Sequence, residues 1–199
     1  MTDRARRRAL AGKANEPAPS SLIFSLYNRA VSDGDVIDTG VSPFASGTSM
    51  TILLDISISK NPTDTSQAYR WRLLDILRSS GSGIALFVGK PSQWNAAIRA
   101  LIGNATATDD NAKIATASAG RKRIVITHES NSSSIVAIGK VGDGTPTIKT
   151  VSNNQISSST SHLTLGAVGT GYGLPPATIN SIEVYSEILG QEAIDQFLA

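Results

Sequence analysis

The feature that most constrains this chain is an alternation of apolar and polar residues, with a period of two, that returns between turn signals along most of its length. Thr51 to Ser59 shows it best: Ile52, Leu54, Ile56 and Ile58 alternate with Thr51, Asp55, Ser57 and Ser59. Successive side chains of an extended strand point to opposite faces, so the isoleucines and leucine are predicted to face a core while the polar set faces away. The same reasoning predicts strands at Leu22 to Tyr27, Val36 to Val41, Arg70 to Leu77, Ile84 to Val88, Ile98 to Gly103, Ile124 to Glu129, Ile135 to Val141, Thr147 to Val151, Leu163 to Ala167 and Ile179 to Ser186. Ser79 to Gly83 and Asn131 to Ser134 carry the residues of hairpin turns. Many short strands without a long helix predict an all-β fold, a two-sheet antiparallel sandwich around one core. Only Gln191 to Leu198 reads as helical, with Ile194, Phe197 and Leu198 on one face and Leu189 placed to staple against Ile194.

Composition removes several kinds of chemistry. The chain of 199 residues has no cysteine, which excludes disulfides, zinc-thiolate sites, iron–sulfur clusters and thiolate nucleophiles. Aromatic residues make up 5% of the chain, too few to line a large cofactor cavity, so no bulky cofactor is expected. No apolar run approaches the roughly 20 residues of a membrane span, and the Arg-rich N-terminus lacks the apolar stretch of a secretory signal. The expectation is a soluble protein made in a cytoplasm, with no membrane insertion.

Charge divides the chain unevenly. Residues 1 to 19 hold Arg4, Arg6, Arg7, Arg8 and Lys13 against Asp3 and Glu16, a net +3, whereas the rest of the chain is −1 within a total of +2. These residues read as a basic N-terminal arm ending in a Pro17 and Pro19 linker, and residues 20 to 199 as the sandwich. Leu10 is the arm's one large apolar side chain, apart from Met1 at its end. Three readings of the arm follow. Its guanidinium groups could dock on carboxylates of a neighbouring subunit, the expectation taken forward for Arg4, Arg6, Arg7, Arg8 and Leu10. The arm could instead be a solvated tail, or it could neutralise phosphates; nucleic acid is disfavoured because the domain behind it is not basic.

The stretch Thr178-Ile-Asn-Ser-Ile-Glu-Val-Tyr-Ser-Glu-Ile-Leu-Gly-Gln-Glu-Ala-Ile to Phe197 resembles the closing signature of concanavalin A-like, or laminin G-like, jelly-roll domains. Asp35 to Val41, Arg121 to Glu129 with Ile135 to Val141, and Ser161 to Gly166 resemble that family in the same order, over roughly residues 22 to 198. Preceded by a short Arg-rich arm, such a domain resembles the structural proteins of tailed bacteriophages. The resemblance implies a noncatalytic virion component, such as a capsid decoration, fibre or tail protein. It would be held by its arm to other virion proteins in a multi-subunit assembly, displaying a sandwich that binds protein or host glycan. A free-standing carbohydrate-binding, lectin-like module is the alternative, and a glycan hydrolase of the same fold the third reading.

Catalysis is not signalled by the residues. The fold's glycosidases carry Glu-x-Asp-x-Glu on one strand, because hydrolysis needs an acid and a nucleophile across the scissile bond, and this chain has no such stretch. Asp55, Asp75, Glu129 and Glu183 stand singly on predicted strands and are expected to face solvent, with Asp109 and Asp110 in a loop. His128 and His162 are expected to be ordinary strand residues. Asp33, Asp35 and Asp143 lie in Asp-Gly stretches that could offer oxygen ligands to calcium but read first as turns. Gly166, Gly169, Gly171 and Gly173 read as a relaxed surface loop. Of the two tryptophans, Trp71 is expected in the core, and Trp94, in a polar stretch, is the candidate for stacking on a sugar ring.

Overall fold

The computed structural model describes residues 21–42, 49–62, 71–76, 83–89, 97–102, 113–129, 134–152, 161–166 and 173–199. The arm (Arg4, Arg6, Arg7, Arg8 and Leu10), Trp94, Asp109 and Asp110, Gly169 and Gly171 lie outside the described residues.

Within them the chain forms β1 (Leu22–Val31), β2 (Ile37–Asp38), β3 (Met50–Ile58), β4 (Arg72–Asp75), β5 (Ile84–Val88), β6 (Ala97–Ile102), β7 (Lys113–Thr116), β8 (Gly120–His128), β9 (Ser134–Val141), β10 (Thr147–Ser152), β11 (Thr164–Leu165), β12 (Ala177–Tyr185) and a closing helix, α1 (Gln191–Leu198). Two six-stranded sheets result. The first has the order β1-β12-β3-β8-β9-β10 and the second β2-β11-β4-β5-β6-β7. Every pairing between these strands is antiparallel, which is the sandwich that the alternation predicts. The strands flanking the two predicted turns pair, β4 with β5 and β8 with β9, while residues 79–82 and 131–133 lie outside the described residues.

The core between the sheets follows from the side-chain parity of β3. Ile52, Leu54, Ile56 and Ile58 face inward and meet Ile124 and Ile126 of β8, Ile179, Ile182 and Val184 of β12, and Leu74, Leu86 and Ile98 of the opposite sheet. Fully burying each such side chain contributes about 1.5–3 kcal/mol. The sheets approach each other closely at Gly139 of β9, where an added Cβ would sit 2.3 Å from the Ile114 carbonyl oxygen of β7. β7 is the strand that the alternation missed. Four residues long, Lys-Ile-Ala-Thr, it presents too short a pattern to read.

One core was expected, and the structure has a second, smaller one. Leu53, Val125, Ile138 and Tyr185 on the outer face of the first sheet are covered by Ile194 and Leu198 of α1, with Leu189 packed alongside. The predicted helix and staple therefore exist, and they close a face that the pattern assigns to solvent. Thr51, fully buried, fixes the approach to the helix: its hydroxyl donates to the Glu187 carbonyl at 2.8 Å and accepts from the Leu189 N–H at 3.0 Å. α1 has no basic residue in its last turn, yet cations from other strands serve there. Arg123 Nη1 donates to the Leu198 carbonyl at 3.3 Å, and Lys140 Nζ donates to the same oxygen.

Candidate functional site

Each sheet has an outer face, and polar residues gather on both. On the first sheet they centre on Asp55, expected to be solvent-facing but only 4% exposed. Its carboxylate accepts from Arg121 Nε at 2.8 and 3.1 Å, from Arg121 Nη2, and from Asn180 Nδ2 at 2.9 Å, while Arg123 Nε lies 3.9 Å away. Asn180 reaches Asp55 because β12 shifts register between Ile179 and Ser181, a bulge that aims two successive side chains outward. Its amide also donates to Ser57 Oγ at 2.9 Å. The correction to the solvent-facing reading has a plain cause: two arginines from β8 and the asparagine at the bulge surround the acid and compensate it. At the rim of this face, Glu183 accepts from Tyr27 Oη at 2.6 Å and from Tyr185 Oη. Burial, then the neighbouring carboxylate, pushes the Tyr27 phenol up to about 12, and the same causes raise Tyr185 further.

On the second sheet the pairing register builds a row across four strands. Arg72 of β4 is opposite Phe87 of β5, Phe87 opposite Arg99 of β6, and Arg99 opposite Lys113 of β7. Their neighbours in sequence, Trp71, Leu73, Leu86, Val88, Ile98 and Ile114, all belong to the core, so the row occupies the outer face. The Arg72 guanidinium carbon sits 4.1 Å from the Phe87 ring centroid, and Arg72 Nη1 donates to Asp75 Oδ2. Asp75, also expected to face solvent, is 7% exposed beside an arginine that is 6% exposed. A register shift between Arg72 and Leu74 puts both on one face although three positions separate them. Arg99 is 2% exposed, whereas Phe87 and Lys113 are partly open. Next to the row, Thr164 of β11 pairs with Asp75 and with Asp38 of β2. A planar cation on an aromatic ring, flanked by further donors, can orient a carboxylate or the hydroxyl edge of a sugar.

The remaining candidates separate. Asp33 accepts from Trp71 Nε1 at 2.6 Å, and Asp35 accepts from the Ser32 N–H at 2.7 Å, so both carboxylates hold the turn between β1 and β2, with Trp71 buried as expected. Asp143 lies in the turn between β9 and β10. No group of three metal-ligating side chains occurs among the described residues, and the calcium candidates do not converge. Gly173 is not a relaxed surface glycine: an added Cβ would lie 2.2 Å from the Gly34 backbone. His128 is a buried strand residue of β8. His162 precedes β11 rather than lying in a strand, and its Nδ1 sits 3.0 Å from Asp38 Oδ1 on the surface. The Gly40 N–H and this histidine hold the Asp38 carboxyl below the usual range. Sequence reasoning missed Arg72, Phe87, Arg99 and Lys113, because only cross-strand register brings them together.

Solved structures share the architecture. The CBM40 domain of the Ruminococcus gnavus IT-sialidase matches 89% of this chain and 100% of its own, with a TM-score of 0.59 at 14% identity. The same domain bound to alpha2,3 sialyllactose covers 89% and 97% at 0.56 and 15%. A leech intramolecular trans-sialidase is matched over 91% of this chain and 28% of the enzyme's, with a TM-score of 0.59 at 15% identity. No protein-family model matches the sequence, and no curated protein does. At such identities the likeness establishes the fold, a concanavalin A-like jelly-roll sandwich.

Proposed function

We propose that this chain is a noncatalytic glycan-binding module that takes an acidic sugar on the outer face of its second sheet. The observation that carries the reading is the row Arg72, Phe87, Arg99 and Lys113, in register across four strands with a guanidinium stacked on the ring. Such a row suits a ligand that combines a carboxylate with an apolar ring face. Sialyllactose is the ligand named for the similarly folded CBM40 domain. The likeness therefore favours the lectin-like reading over that of a virion component, for which these comparisons supply no phage link. The virion reading rests on the arm, outside the described residues.

The test is a glycan array probed with the full chain, its Phe87→Ala variant and its Trp94→Ala variant. Binding to sialylated glycans that weakens at least about tenfold in Phe87→Ala, the scale of a lost 1.4 kcal/mol contact, is the expected outcome. An array without acidic-glycan hits contradicts the proposal, as does binding abolished by Trp94→Ala and untouched by Phe87→Ala.

A further inference from the structure

Among the described residues the sheets end in four edge strands, β1 and β10 in the first and β2 and β7 in the second. An edge offers N–H and C=O groups to any passing strand, and proteins blunt it by shortness or by charge, lysine above all. Three of the four edges are blunted in this way: β2 is two residues long, β7 is four with Lys113, and β10 carries Lys149.

β1 carries Arg29 late in the strand and a register shift between Leu22 and Phe24, but no charge blunts its first residues. Its first six residues, Leu22-Ile-Phe-Ser-Leu-Tyr27, contain no charge, proline or glycine and are mostly strong strand formers, the composition that makes an open edge recruit another strand. Ile23 and Tyr27 are 40% and 49% exposed. Phe24 and Leu26 pack against the main core but stay only partly buried, and among the described residues no strand lies beyond them in the sheet. The first charge is Arg29, after Asn28, whose φ of 52° turns the strand.

We infer that β1 pairs with β1 of a second copy of this chain, antiparallel about a two-fold axis at Ser25, so that the two first sheets become one continuous sheet. The segment complements itself in that register. Ser25 meets Ser25, Phe24 meets Leu26 on the core side, and Tyr27 meets Ile23 on the outer side. Residues of one face stay opposite residues of the same face, as a side-chain period of two requires. An uncharged segment meets its own copy without the like-charge repulsion that Lys149 would impose at β10. Each copy's Phe24 and Leu26 then cover the other's, and the interface closes on itself as a two-fold contact must. This inference is independent of the glycan reading, because β1 belongs to the other sheet.

The chain has no cysteine, so Ser25→Cys introduces a single thiol at the axis, at an exposed position. Opposed residues of an antiparallel pair lie about 4.5–5.5 Å apart at Cα, within disulfide range. The full-length Ser25→Cys protein should form a covalent dimer on mild oxidation, while Lys149→Cys on β10 stays uncrosslinked. Sedimentation should give twice the chain mass for the wild type and the chain mass for Ser25→Lys, with circular dichroism confirming that the variant is folded. A monomeric wild type overturns the inference, whatever else covers β1. So does a dimer that Ser25→Lys leaves intact, or one that Ser25→Cys fails to lock.

Discussion

The outer faces of the two sheets hold buried charge in opposite ways. On the first, Asp55 is compensated by Arg121 and Asn180 and the face is closed by α1, so its polar groups serve one another. On the second, Arg72, Arg99 and Lys113 share a row in which Phe87 and Lys113 are partly open. A closed network fixes the fold, whereas a row of cations that reaches solvent can draw a partner of the opposite sign. Substitutions on the first face should therefore change stability and leave binding alone, and those on the second should do the reverse.

The largest effect is expected at Asp55. Asp55→Ala removes the acid that Arg121 and Arg123, the latter with 4% of its side chain exposed, both approach, and should cost about 3–5 kcal/mol in denaturant unfolding, with glycan affinity unchanged. Ile194→Ala removes the helix's anchor over Leu53 and Val125 and should cost about 2 kcal/mol, again without effect on affinity. A loss of binding in either variant would break the comparison, since it would tie the first face to the ligand.

Phe87→Ala inverts the pattern. It removes the surface under Arg72 and should cost about 1 kcal/mol in stability, less than Ile194→Ala, while reducing affinity by the larger margin proposed above. Equal loss of stability at Phe87 and Ile194 would mean that the second face is structural too.

The smallest effect sharpens the rim of the first face. Tyr27 has a folded pKa of about 12 against an ordinary 10.0, so the stability it contributes is intact below pH 10 and fades as pH rises through 12. A phenolate absorbance titration of Glu183→Gln should move this transition down only partway, because burial is the larger cause of the shift. A return to the ordinary value would assign the shift to the carboxylate alone.

Much of the sandwich is legible in the sequence because it depends on local parity. Ile52, Leu54, Ile56 and Ile58 announce both their strand and the face it buries, and Gln191 to Leu198 announces its helix by spacing. What fails is long-range. Asp55 and Asp75 look like lone surface acids until β8 and a register shift supply their arginines. The candidate site is less legible still, because Arg72, Phe87, Arg99 and Lys113 are separated in sequence and meet only through three pairings. Of the residues singled out from sequence as site candidates, Trp94 and the arm lie outside the described residues, and Asp33, Asp35 and Asp143 sit in turns.

The most direct test of the second face as the ligand site is a titration of the isotope-labelled chain with 3'-sialyllactose, followed by backbone amide shifts. The account predicts saturable shifts centred on Arg72, Phe87, Arg99 and Lys113, with Asp55, Arg121 and Asn180 unmoved. Shifts centred on the first sheet's outer face, or no saturable shift at all, would contradict it.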